Sequence, residues 1–128
     1  MILNISVLPG NYSIYKFQEE SDIPDWIYSS KFYSITRTED EISVVANQVD
    51  YVIPGLICNR DWCILKIIGP LDFSLVGIVA DFSTILKNKK IPIFVISTYD
   101  TDYFLIKKAD LSKGIKALDE KGHKISMV

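Results

Sequence analysis

An α+β fold is predicted by three features of the sequence: short runs rich in β-branched and aromatic residues, two later segments with helical apolar spacing, and turn residues separating them. From Trp62 onward the order reads strand, helix, strand, strand, helix, strand. That order is the split βαβ, or ferredoxin-like βαββαβ, arrangement, an antiparallel sheet with its helices on one face. The first half offers strand, strand, helix and a connector, a less complete version of the same plan. Two subdomains are therefore expected, residues 1–61 and 62–128.

Residues 5–8 and 12–17 are expected as two short strands, or one bent strand, around the turn Pro9-Gly10-Asn11. Residues 18–25 are acidic and contain Pro24, so they read as a solvated loop leading into a short turn at 26–29. Residues 32–36 alternate aromatic and polar side chains as a strand does, and Arg37 closes the run. Thr38-Glu39-Asp40-Glu41 fits a capping box, in which the Thr hydroxyl and the Glu side chain each accept a backbone N–H of a helix start. Ile42, Val45, Ala46 and Val49 follow at i, i+3, i+4 and i+7, which predicts a helix of about three turns. Residues 51–58, broken by Pro54-Gly55, read as a connector or edge strand, and Asn59-Arg60-Asp61 as a turn. The apolar run 62–68 has the length of a central strand.

The period then changes. Leu75, Ile78, Val79, Phe82, Ile85 and Leu86 recur at helical spacing, with Asp72 or Ser74 as the cap and Lys87, Lys89 and Lys90 complementing the C-terminal dipole. Gly77 falls inside this helix, at a cost of about 1 kcal/mol relative to Ala, which suggests a close approach by backbone, ligand or a packed helix. Residues 92–98 and 103–107 read as strands joined by the tight turn Tyr99-Asp100-Thr101-Asp102. Asp110, Leu111, Ile115 and Leu118 mark the last helix, Gly122 stops it, and residues 123–128 supply the final strand.

Composition narrows the function. With a formal net charge of −2 and a pI near 5.3, the chain lacks the clustered Lys and Arg of a nucleic-acid surface. The aromatics Tyr12, Tyr15, Phe17, Phe32, Tyr33, Tyr99 and Tyr103 are assigned to core and interface packing rather than base stacking. Cys58 and Cys63 stand five apart with only the distant His123 to help, so no metal site is expected. Cys63 reads as a small buried hydrophobe and Cys58 as a free thiol near a turn. No basic leader and no apolar run of about 20 residues is present, which points to the cytoplasm and to no membrane partner. Catalysis is not expected: His123 sits in a Gly-His turn without a nucleophile or acid partner, and Asp100 and Asp102 lose a shared face if they lie in a turn. No cofactor is expected.

What remains is binding. The stretch 64–102 is a strand, a Gly-Pro loop, a helix and a second strand. A helix start after Gly69-Pro70 presents free N–H groups and partial positive charge to a carboxylate or other small anion, and an amino acid carries one. Asp72 is open to two readings, a helix cap or a partner for a ligand's ammonium. Asp100 and Asp102 likewise either satisfy their own turn or meet a ligand.

Three ordered blocks carry a resemblance. Thr36-Arg37-Thr38-Glu39-Asp40-Glu41-Ile42-Ser43-Val44-Val45, then Gly69-Pro70-Leu71-Asp72-Phe73-Ser74-Leu75-Val76-Gly77-Ile78, then Ile96-Ser97-Thr98-Tyr99-Asp100-Thr101-Asp102-Tyr103, resemble the ACT-domain subfamily related to aspartate kinase regulatory domains and to the cytosolic arginine sensors called CASTOR proteins. The resemblance implies two ACT-like subdomains and a regulatory or sensing protein that binds a small molecule, an amino acid above all, at interfaces between ACT units, often across a homodimer. It implies nothing catalytic. The implied cleft joins Gly69, Pro70, Leu71, Asp72, Phe73, Ser74 and Leu75 to Ile96, Ser97, Thr98, Tyr99, Asp100 and Asp102 of an adjacent unit. The sensors hold four ACT units per chain and this chain has room for two, so arginine itself does not follow. The alternative is a protein-interaction module whose cleft is vestigial.

Overall fold

The computed structural model describes residues 2–51, 53–69 and 77–127. Among these lie the strands β1 (Asn4–Val7), β2 (Tyr12–Phe17), β3 (Ser34–Arg37), β4 (Ile42–Asn47), β5 (Ile57–Ile67), β6 (Phe94–Ser97), β7 (Asp102–Lys107) and β8 (Lys124–Met127), with the helices α1 (Ile78–Asn88) and α2 (Leu111–Glu120). The fold is α+β and of the ferredoxin type. Contacts divide the chain into a first unit of residues 1–9 and 62–128 and a second of residues 10–61.

In the first unit the strand order is β6-β7-β5-β1-β8. The segment β5-α1-β6-β7-α2-β8 supplies the βαββαβ motif, and β1 lies between its first and last strands, antiparallel to β5 and parallel to β8. The expected grouping of residues 1–9 with the N-terminal half thus differs from the observed one, because β1 finds both partners after residue 61. Ile5 and Val7, Leu65 and Ile67, and Phe104 and Ile106 alternate along their strands and so share one face. Onto that face α1 lays Ile78, Phe82 and Leu86, and α2 lays Leu118. Each such side chain contributes about 1.5–3 kcal/mol on full burial. Phe82 and Phe104 stack at 4.5 Å between ring centroids.

Two glycines shape this layer. Gly77 is the N-cap of α1 at φ +85°, so the glycine precedes the helix expected to contain it, while Leu75, expected on that helix, lies outside the described residues. Gly114 lets α2 approach β7: a Cβ there would stand 2.9 Å from Ile106 Cδ1. The last helix ends as expected, with Gly122 at φ +90° and the N–H groups of Gly122 and His123 donating to the Asp119 and Leu118 carbonyls at 2.9 and 3.2 Å.

The second unit corrects the predicted helix over residues 38–49. Residues 42–47 are β4, paired antiparallel with β2 from Phe17↔Ile42 to Tyr12↔Asn47 and with β3 from Arg37↔Ile42 to Ser34↔Val45. The cap chemistry of Thr38 is real but serves a hairpin turn. Its Oγ1 accepts from the Asp40 and Glu41 N–H groups at 3.2 and 3.1 Å while its own N–H donates to the Glu41 carbonyl at 2.9 Å. Asn59, Arg60 and Asp61, expected as a turn, lie inside β5, so Cys58 is a half-buried strand residue and not a turn thiol. Asp61 keeps a turn-like φ of +68° within the strand. Cys63 is buried and free.

No α-helix is described in the second unit. Short 3₁₀ turns at Glu20–Asp22 and Asp25–Ser29 instead bring Ile23, Trp26 and Ile27 over Tyr15, Phe17, Ile42, Val44 and Ala46. No described helix in either unit is long and apolar enough to cross a membrane.

Candidate functional site

Of the expected site residues, Pro70, Leu71, Asp72, Phe73, Ser74 and Leu75 lie outside the described residues. Gly69 is exposed just beyond the end of β5, and Ile96, Ser97, Thr98, Tyr99, Asp100 and Asp102 occupy the β6–β7 hairpin. The antiparallel pairing of Lys66 with Tyr103 sets the start of β7 beside the end of β5. Gly69 and the hairpin turn therefore share one end of the sheet within a single unit, whereas the family resemblance drew them from adjacent units.

The hairpin holds itself in shape. Ser97 pairs with Asp102 across the strands, and the Ser97 hydroxyl donates to Asp102 Oδ1 at 2.5 Å, which fixes that carboxylate and leaves Oδ2 for another partner. The Thr98 N–H and Oγ1 both reach the Thr101 carbonyl, at 2.8 and 3.1 Å. Tyr99 stands at the tip, 82% exposed, with Asp100 exposed beside it. Half-buried Ile96 lies on β6, which has β7 on one side and is an edge strand among the described residues.

One contributor was missing from the expected set. Thr101 is 6% exposed, and its Oγ1 donates to the Ile67 carbonyl at 2.5 Å. This bond ties the turn to the end of β5, two residues before Gly69. A Thr in a Tyr-Asp-Thr-Asp turn was the available signal, but its partner lies 34 residues away in sequence. The arrangement gathers carboxylates, an aromatic ring and backbone polar groups, which suit recognition of a small polar molecule. Among the described residues no three His, Cys, Asp or Glu side chains group as metal ligands. His123, the one histidine, lies in the α2–β8 connection.

Comparison with known proteins bears on the family and the fold. A family model described as an ACT domain matches residues 57–120, and a second, describing an N-terminal domain, matches residues 10–52. No match was found among curated proteins. Among solved structures, protein Atu0741 from Agobacterium tumefaciens is 33% identical with a TM-score of 0.89, covering 100% of this chain and 95% of its own. A C-terminal regulatory domain ascribed to aspartate kinase from Porphyromonas gingivalis W83 is 17% identical, with a TM-score of 0.56 over 91% of this chain and 93% of its own. Aspartate kinase from Clostridium acetobutylicum, described as an allosteric enzyme, is 12% identical with a TM-score of 0.64, and 88% of this chain covers 33% of that enzyme.

Proposed function

Because the chain belongs to the ACT-domain family, we propose that it is a cytoplasmic regulatory or sensing protein that binds an amino acid at the sheet end where Gly69 meets the β6–β7 turn, with the site completed between ACT units of a homodimer. The observation that carries this reading is the Thr101–Ile67 bond of 2.5 Å, which fixes the turn and its carboxylates against the strand that leads into the Gly69 loop. In this reading backbone N–H groups beyond Gly69 take the ligand's carboxylate, and Asp102 with Asp100 takes its ammonium, Asp72, also expected there, lying outside the described residues. Ser97 positions Asp102, and Tyr99 covers the site. The role is regulatory and not catalytic.

The exposed Tyr99 beside the edge strand β6 favours one other reading, a surface that docks a partner protein. A thermal-shift screen against the twenty amino acids, with light scattering for the oligomer, separates the two. A ligand at a hundredfold its Kd adds about 2.7 kcal/mol, a shift of several degrees. Asp102→Asn removes that shift if the site is the one proposed. A flat screen on a folded dimer overturns ligand binding in favour of partner docking.

A further inference from the structure

We propose that the cleft between α1 and the α2–β8 connection is a second ligand site, taking a small molecule that carries both a carboxylate and an ammonium group. It is lined within the first unit by Leu3, Asp81, Phe82, Asn88, Lys121 and His123 among others, and its volume is about 310 Å³, the lower end of ligand-pocket sizes. This inference does not rest on the sheet-end site above, with which it shares no residue.

The argument starts at His123. Its side chain is 6% exposed, and Nδ1 accepts the Leu3 N–H at 3.1 Å, so the neutral ring carries its proton on Nε2. No hydrogen bond is made at Nε2 by a described group. Every fully buried side-chain nitrogen or oxygen among the described residues has a partner. Nε2–H is therefore an accessible donor on a ring that lines the cleft and that the Leu3 bond holds in place from behind. Burial, and after it the positive charge of the chain's N-terminus, also lower the His123 pKa, with Asp81 opposing, so the ring acts as a neutral donor near pH 7.

The cleft carries charges of both signs. Lys121 and the His123 Nε2–H suit a carboxylate, and Asp81 suits an ammonium, with Asn88 able to serve either group. Phe82 supplies apolar surface, its ring 5.6 Å from the imidazole. A ligand with one charge would leave an opposite partner unmatched.

His123 is the only histidine, so its imidazole NMR signals report on this cleft alone. Glycine, serine and aspartate are titrated individually into the full chain, with acetate and methylamine as single-charge controls. The expected result is a saturable His123 shift with at least one amino acid and a weaker response to either control. Asp81→Asn and Lys121→Met, both at exposed positions, should each weaken that binding by about tenfold or more without unfolding the protein. Asp102→Asn should leave it unchanged, which separates this site from the sheet-end site. No shift with any amino acid, a shift that survives both cleft substitutions, one abolished by Asp102→Asn, or controls that bind equally well would overturn the proposal.

Discussion

The two units close their sheets by different means. In the first, helices satisfy their own backbone hydrogen bonds and can lay a wholly apolar layer on the strands: Phe82, Leu86 and Leu118 are fully buried. In the second, loops and 3₁₀ turns cover the sheet and bring backbone groups that need side-chain partners. Ser30 Oγ accepts the Asn47 N–H at 3.0 Å and lies 2.5 Å from both the Phe32 carbonyl and Asn47 Oδ1. The Tyr15 hydroxyl donates to the Asn47 carbonyl at 3.0 Å. Gln48 accepts from Ser13 and from the Asp61 N–H and donates to Asp61 Oδ1. A helix cover asks the sequence for apolar periodicity, whereas a loop cover asks for polar residues at single positions.

Four measurements test that contrast. Phe82→Ala removes the ring stacked on Phe104 and should cost about 3–5 kcal/mol, read as a lower urea midpoint. Ser30→Ala strands the Asn47 N–H and should cost about 1–3 kcal/mol in thermal unfolding. A negligible loss would break the argument that the loop cover depends on its polar partners. Thr101→Val keeps the shape but leaves the Ile67 carbonyl unmet, at about 1 kcal/mol, and should weaken any ligand-induced thermal shift at the sheet end. The smallest effect is a pH slope. Burial lowers the His123 pKa below 6.5, so the stability it confers is complete above that pH. As pH falls, the unfolded chain takes a proton that the folded chain refuses, and the contribution is lost toward and through the lowered value. His123→Gln should flatten that part of the stability profile, and the slope belongs to the first unit alone because the second has no histidine.

The same contrast explains what could be read from sequence. The helices and hairpin of the first unit were legible because Ile78, Phe82 and Leu86 in one segment and Leu111, Ile115 and Leu118 in another recur at helical spacing, and Gly122 stops the second helix where a C-terminal glycine should. Residues 38–49 misled because Thr38 makes the same local hydrogen bonds in a hairpin turn as at a helix start. Ile42, Val45 and Ala46 also satisfy both periods when both faces of a strand are covered, and pairing with β2 and β3 decided the matter. The polar trio Asn59-Arg60-Asp61 looked like a turn, yet Gln48 and the Val49 carbonyl supply its partners within a strand. At the site, the tight turn after β6 was legible and Thr101's anchoring role was not, since its partner is on another strand.

The place of β1 also bears on how the chain folds as it is made. Residues 4–7 lie between a strand some 60 positions downstream and one 120 positions downstream. During synthesis this segment emerges before both of its neighbours and gains the second of them, β8, well after β5. The whole of residues 10–61 is complete before the sheet of the first unit can close around β1. Until then an apolar strand waits with open edges, the condition under which nascent chains recruit chaperones or pair with one another.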